Sequence, residues 1–75
     1  MASESVETKL KNIQKRLTNY FECDCIITLN DDLIHVEIDD VSPYKADFKL
    51  TTFTEYYEGN IHDFYDMIIS CYYNS

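Results

Sequence analysis

The residues of this chain that could bind a metal ion are two cysteines and a histidine, Cys23, Cys25 and His35. A structural zinc site needs four Cys or His ligands, and a pair of cysteine ligands is usually separated by two to four residues. Here the spacing is Cys-x-Cys with a single nearby histidine, so too few ligands are present. Calcium loops need carboxylates around a glycine bend, and the acidic stretch NDDLIHVEIDD (residues 30–40) contains no glycine. We therefore expect no metal and no other cofactor.

Catalysis is the second kind of chemistry to consider, because His35, His62 and Cys71 are residue types that act as general bases or nucleophiles. Neither histidine has a serine or cysteine partner visible in the sequence, and Cys71 falls on the apolar side of a predicted helix. The chain has 1 glycine, which excludes a glycine-rich phosphate-binding loop. We expect that the protein is not an enzyme.

The cysteine count and the N-terminal sequence indicate the compartment. The number of cysteines, 3, is odd, and they lack the regular spacing of a disulfide framework, so we interpret them as reduced thiols. The N-terminus lacks the basic and apolar regions of a signal peptide, and no run of about 18 apolar residues could form a membrane span. We expect a cytoplasmic protein that does not interact with membranes.

Acidic charge is the strongest signal in the sequence. The chain has 14 acidic and 6 basic residues, a net charge of −8. Four of the bases lie in residues 1–21, whereas twelve of the acids lie in residues 22–75. Nucleic-acid phosphates would be repelled by such a surface, so we expect no direct nucleic-acid binding. A basic protein would be attracted to it over long range, although charge of this kind can also serve only to keep a surface solvated.

The hydrophobic pattern predicts a helix followed by three strands. Val6, Leu10, Ile13 and Leu17 recur at helical spacing, which predicts an amphipathic helix over residues 4–20. Three stretches of alternating apolar and polar residues follow, CDCIITLN, LIHVEI and YKADFKL, and each predicts an antiparallel strand with one buried face.

The last third of the chain is helical again in its pattern. Thr52 and Glu55 have the spacing of a capping box, and Gly59-Asn60 interrupts the pattern, so the segment is either one bent helix or two short ones. The predicted fold is a single α+β domain over residues 1–75 in the order α-β-β-β-α. Both helices pack on one face of a three-stranded antiparallel sheet, and the other face is open to solvent.

The tyrosines are numerous, 7 in 75 residues. Those in the C-terminal segment are too many for so small a core, and they are Tyr56, Tyr57, Tyr65, Tyr72 and Tyr73. Tyrosine is enriched in protein–protein interfaces, which makes these side chains candidate contacts. The alternative is that their rings lie over the edge of the core.

The order of elements and the acidic, aromatic C-terminal segment EYYEGNIHDFYDMIIS resemble the small acidic anti-CRISPR proteins with an α-β-β-β-α fold. The chain departs from that pattern in its basic first helix. The resemblance implies a phage-encoded inhibitor that mimics nucleic acid and occupies the PAM-reading site of a CRISPR effector nuclease. The same order of elements occurs in double-stranded-RNA-binding domains, but those need basic residues where this chain has TEYYEG.

The favoured hypothesis is therefore a non-enzymatic inhibitor of a basic nucleic-acid-binding protein, such as a CRISPR effector or another nuclease. The predicted partner-binding residues are Asp31, Asp32, Glu37, Asp39, Asp40, Glu55, Tyr56, Tyr57, Glu58, Asp63 and Asp66. The alternative hypothesis is a small structural protein that forms a homodimer through its tyrosines and its open sheet face, with the acids conferring only solubility.

Overall fold

The computed structural model describes residues 5–74, and it begins with a long amphipathic helix, α1 (Val6–Phe21). The side chain of Ser5 caps this helix by accepting a hydrogen bond from the Thr8 N–H at 3.2 Å. The helix ends at Glu22, which adopts a left-handed conformation (φ 54°) and donates its N–H to the Thr18 carbonyl. The predicted helix is confirmed with shifted ends: Ser5 is an extended N-cap and not part of the helix, and the last helical residue is Phe21 instead of Tyr20. The predicted start, Glu4, lies outside the described residues.

Three antiparallel strands follow, β1 (Asp24–Asn30), β2 (Leu33–Asp39) and β3 (Tyr44–Lys49), and β2 lies in the centre of the sheet. A two-residue turn joins β1 to β2, and Asp31 in this turn has a positive φ of 53°. Such φ values are typical of two-residue hairpin turns, whose twist matches that of the strands.

The C-terminal segment forms two helical pieces. The first comprises α2 (Leu50–Thr52) and a π-helical turn (Phe53–Tyr57), and the second is α3 (Ile61–Tyr73). The interruption at Gly59-Asn60 therefore separates two helices. Asn60 stands at the start of α3, but its side chain makes no capping bond.

The capping box predicted at Thr52 and Glu55 is wrong. Thr52 has helical dihedral angles (φ −63°, ψ −43°), because the helix begins two residues earlier, at Leu50. The Leu50 N–H donates to the Asp32 carbonyl at 2.8 Å. One amide of the first helical turn is therefore hydrogen-bonded to a residue at the end of the sheet. This contact between distant residues starts the helix, and the local pattern does not contain it.

The two long helices cover one face of the sheet and run parallel to each other. Near their starts, Lys9 of α1 donates to the Glu58 carbonyl just before α3, and at their ends the rings of Phe21 and Tyr72 lie 4.7 Å apart. The core between helices and sheet consists of Leu10, Ile13, Leu17, Cys25, Ile27, Ile34, Val36, Ile38, Phe53, Phe64 and Ile68. The predicted α+β fold, in the order α-β-β-β-α, is confirmed.

The left-handed residue that ends α1 generates a stability prediction. A residue with a Cβ atom pays about 1–2 kcal/mol in this conformation, and glycine does not. Part of that gain is lost because glycine makes the unfolded chain more flexible. We therefore expect Glu22→Gly to raise the free energy of unfolding by roughly 0.5–1 kcal/mol, measured by urea denaturation.

Glu22→Ala is the matched control, because it removes the same charge and keeps the Cβ atom. We expect no stabilisation from alanine at this position. An equal gain from both substitutions would show that charge, and not backbone conformation, limits stability there.

Candidate functional site

Apart from Glu37 in the middle of β2, the structure divides the predicted acidic contact residues into three groups. Asp39 and Asp40 lie where β2 ends, whereas Asp31 and Asp32 form the turn at the opposite end of the sheet. A seven-residue strand separates these two groups by about 20 Å. The third group lies in the helical segment and consists of Glu55, Glu58, Asp63 and Asp66. The predicted acids therefore do not form one continuous surface.

Two carboxylates face each other at the end of the sheet where β1 begins. Asp24 and Asp39 are direct cross-strand partners, and both face the open side of the sheet. Side chains in such positions have Cβ atoms about 5 Å apart, and like charges there are destabilising. Within residues 5–74, neither carboxylate makes a hydrogen bond or an ion pair.

Asp40 completes this group, which we call the acidic end (Asp24, Asp39 and Asp40). Its carboxylate accepts hydrogen bonds from the Tyr72 hydroxyl at 3.0 Å and from the Val41 N–H at 2.7 Å. The bond to Asp40 raises the pKa of the Tyr72 phenol, because the carboxylate would repel a phenolate. These two bonds hold one carboxylate of the acidic end in a fixed orientation.

Asp24 was missed as a candidate, although a signal for it exists in the sequence. A two-residue turn at Asp31-Asp32 pairs Asn30 with Leu33, and stepping back along both strands pairs Asp24 with Asp39. The position of the turn is therefore sufficient to find this pair.

A shallow depression of about 430 Å³ adjoins the acidic end on the open face. Its lining residues are Asp24, Ile26, Glu37, Ile38, Asp39, Pro43, Tyr44 and Lys45. The side chain of Ile26 is 47% exposed and provides an apolar patch between the carboxylates. Lysine and arginine combine an aliphatic stem with a charged end, so a depression of this composition can accept either of them.

The centre of the open face differs from the acidic end, because its charges are paired. Lys45 Nζ lies 3.5 Å from Glu37 Oε1, and His35 Nδ1 lies 2.6 Å from Asp47 Oδ1. The hydrogen bond to Asp47 raises the pKa of the His35 imidazole above its ordinary value, against a smaller opposite effect of burial. Glu37 is thus a predicted contact residue whose charge is compensated within the sheet.

The aromatic residues group at the same end of the molecule as Asp40. The Tyr72 ring contacts those of Phe21 and Tyr44, at centroid distances of 4.7 and 5.7 Å. The hydroxyls of Tyr20 and Tyr73 lie 3.4 Å apart on the outside of this cluster, and 64% of Tyr73 is exposed. Tyr20 was not considered among the candidate contacts.

The predicted tyrosine contacts in the π-helical turn have different environments. Tyr56 is 71% exposed, whereas Tyr57 is half-buried and its ring centroid lies 5.3 Å from that of Phe64. Tyr57 therefore packs on the core, and Tyr56 is the tyrosine of this pair that a partner could reach.

Part of the basic charge of the N-terminal helix pairs with acidic charge of the C-terminal segment. Lys9 of α1 lies 3.9 Å from the Glu58 carboxylate, next to its hydrogen bond with the Glu58 carbonyl. On α3, Asp66 is 3.3 Å from His62. Within residues 5–74, Glu55 and Asp63 make no ion pair.

Cys23, Cys25 and Cys71 form no disulfide within residues 5–74. Cys25 is buried beneath the sheet, and burial is the main cause that raises its pKa to about 12. Its thiol is therefore protonated at neutral pH and is a poor nucleophile. In the part of the chain that the structure describes, no group of three His, Cys, Asp or Glu side chains is arranged to hold a metal ion.

Comparisons of the chain with protein-family models, with curated proteins and with solved structures find no match. Among residues 5–74, no helix has the length and apolar character needed to cross a membrane. The functional argument consequently rests on the geometry of the surface.

The His35–Asp47 pair generates a prediction on pH dependence. Because the folded pKa of His35 lies above its ordinary value of 6.5, the pair stabilises the fold fully below pH 6.5. This contribution is lost as the pH rises through the folded pKa. We expect Asp47→Asn to lower the pKa of His35, measured by an NMR titration of its ring resonances.

Asn keeps the size of the side chain and removes its charge, so the variant isolates the electrostatic effect. An unchanged His35 titration in Asp47→Asn would contradict the assignment of the shift to this carboxylate.

Proposed function

We propose that this chain is a non-enzymatic cytoplasmic protein that binds and inhibits a basic nucleic-acid-binding enzyme by presenting carboxylates in place of phosphates. The observation that supports this most directly is the pairing of Asp24 with Asp39 on neighbouring strands, where neither carboxylate is in an ion pair with a cation of residues 5–74. Such a pair destabilises a small domain, and a binding function is a physical reason for retaining it.

The chemistry of the acidic end suits the side chains that bind nucleic acids. Arginine and lysine interact with carboxylates through the same charge-assisted hydrogen bonds that they make to phosphates. Asp24 and Asp39 project from a paired sheet, and Tyr72 orients Asp40. Rigid presentation reduces the entropy that is lost when a partner binds.

Apolar contacts near the acidic end would add affinity to the electrostatic attraction. The exposed part of Ile26 lines the same depression as the two carboxylates. Tyr73 is exposed next to the Tyr72 ring, and its hydroxyl lies 3.4 Å from that of the exposed Tyr20. Tyrosines next to a charged region are common at the centres of protein interfaces. The resemblance of the sequence to anti-CRISPR proteins makes a CRISPR effector nuclease the first partner to test and a phage the proposed source.

A second candidate function is self-assembly through the open sheet face. The observation that favours it is the exposure of two large apolar side chains there, Ile26 (47%) and Leu33 (44%). In that case the acids would serve only to keep the assembly in solution.

The proposal is tested by neutralising the acidic end and measuring capture of partners from a bacterial lysate. We expect the wild type to retain a basic nucleic-acid-binding protein at low salt and to release it when salt or nucleic acid is added. Asp24→Asn with Asp39→Asn removes two charges worth roughly 0.5–1 kcal/mol each, so it should weaken binding about tenfold. The purified partner should also lose nucleic-acid binding when the wild type is added.

The matched control is Asp31→Asn with Asp32→Asn, which removes the same charge at the other end of the sheet. Asn is also compatible with the positive φ at residue 31. We expect this control to bind almost like the wild type. Equal weakening by both variants would indicate a general effect of net charge, and unchanged binding in the Asp24/Asp39 variant would exclude the acidic end as the contact.

A stability measurement on the same variants tests the physical basis of the proposal. Removing the repulsion between Asp24 and Asp39 should raise the free energy of unfolding by up to about 1 kcal/mol. The acidic-end variant is thus expected to be a more stable protein and a weaker binder. A loss of stability would show that these carboxylates contribute to the fold itself.

A further inference from the structure

We propose that the free edge of β3 pairs with β3 of a second copy of this chain, which joins two domains into a six-stranded antiparallel sheet. The inference does not rest on the proposed inhibitor function, because it involves a different part of the surface. It follows from the hydrogen bonding of the two sheet edges and from the order of charges along β3.

The backbone of β3 alternates between groups that face β2 and groups that face the free edge. The hydrogen bond from the Leu50 N–H to the Asp32 carbonyl sets this alternation, because it assigns the even-numbered residues to β2. The N–H and C=O groups of Lys45 and Asp47 therefore point away from the sheet. Within residues 5–74 these groups have no hydrogen-bond partner.

The other edge of the sheet is protected. Helix α1 packs along β1, and the side chain of Gln14 reaches the edge, where its Oε1 accepts a hydrogen bond from the Ile27 N–H at 2.8 Å. A side chain that occupies an edge N–H prevents another strand from using it. The two edges thus differ, and β3 is the edge that a further strand can join.

The side chains of β3 favour β3 of a second copy as the strand that pairs with this edge. The outward residues are Lys45, Asp47 and Lys49, with charges that alternate in sign. In an antiparallel pair centred on Ala46, Lys45 of each copy lies opposite Asp47 of the other. The backbone groups that face the edge, those of residues 45 and 47, then meet as hydrogen-bonded pairs.

The register centred on Phe48 would also place Asp47 opposite Lys49, but it would pair residues beyond Lys49, where β3 ends. A pair centred on Asp47 would place two Asp47 carboxylates opposite each other and each Lys45 opposite a Lys49, and like charges in these positions are destabilising. The register centred on Ala46 also places Tyr44 opposite Phe48 of the second copy on the helix-covered face, which is a favourable aromatic pair.

The same register extends the charge pairs that already cross the open face. Glu37 pairs with Lys45, and Asp47 pairs with His35, within one copy. Placing Lys45 beside Asp47 of the second copy joins these pairs into a row that runs Glu37, Lys45, Asp47 and His35, with charges that alternate in sign when His35 is protonated. A twofold axis at Ala46 generates two such rows, as expected for an isologous dimer.

The test uses two charge reversals on β3, Lys45→Asp and Asp47→Lys, and sedimentation equilibrium over a range of protein concentrations. The wild type should increase in mass with concentration towards twice the 8.9 kDa of one chain. Each variant alone places like charges opposite each other, so its self-association should weaken by about tenfold or more. An equimolar mixture of the two variants restores opposite charges and should form a heterodimer.

Circular dichroism of each variant serves as the control for folding, and recovery of association in the mixture shows that both variants retain a competent edge. Asp24→Asn with Asp39→Asn should leave self-association unchanged, which separates this proposal from the inhibitor function. A wild type that stays monomeric at all concentrations would overturn the inference. So would a dimer that both single variants form equally well, because that dimer would use another surface.

Amide hydrogen exchange provides a second readout at the level of single residues. The Lys45 and Asp47 amides should exchange rapidly in dilute protein and become at least about tenfold slower at concentrations where the dimer forms. The Ala46 amide faces β2 in both states and should change much less. Rapid exchange of residues 45 and 47 in a proven dimer would overturn pairing through this edge.

Discussion

The two-residue turn at Asp31-Asp32 is the constraint on which the rest of the structure depends. It fixes the register of the first hairpin. Because successive side chains of a strand point to opposite faces of the sheet, this register decides which residues of the hairpin face the core. A shift of one residue would expose Ile34, Val36 and Ile38 and bury the charged residues between them. The same register places Asp24 opposite Asp39, so the hairpin that buries the core also creates the repulsive pair at its open end.

The acidic surface is uneven in a way that net charge does not reveal. In the centre of the open face, Lys45 compensates the charge of Glu37, and His35, when it is protonated, compensates the charge of Asp47. At the end of the sheet, Asp24 and Asp39 face each other, and neither is in an ion pair within residues 5–74. The local electrostatic potential therefore differs between the centre of the open face and the acidic end.

The two edges of the sheet show a related asymmetry. Three strands provide a small sheet, and unpaired edges are sites where strands of other chains can add. Gln14 and helix α1 close the edge of β1, whereas β3 presents free backbone groups between charged side chains. Charges on an edge discourage indiscriminate pairing, but alternating charges favour registers in which opposite charges lie opposite each other. The charged side chains of β3 therefore both protect the edge against unspecific pairing and favour a complementary strand.

The sequence by itself determined the types and order of the elements. Apolar residues recur about every 3.6 residues in a helix and every 2 residues in a strand, and both patterns can be recognised within a short stretch of chain. It also contained the Asp24–Asp39 pair, which follows from the position of the turn. Tertiary structure decided the start of α2, because the Leu50 N–H binds the Asp32 carbonyl. It also decided the bond between Tyr72 and Asp40 and the closure of the β1 edge by Gln14. These contacts join residues that are distant in the chain, and only the packing of helices against the sheet brings them within hydrogen-bonding distance.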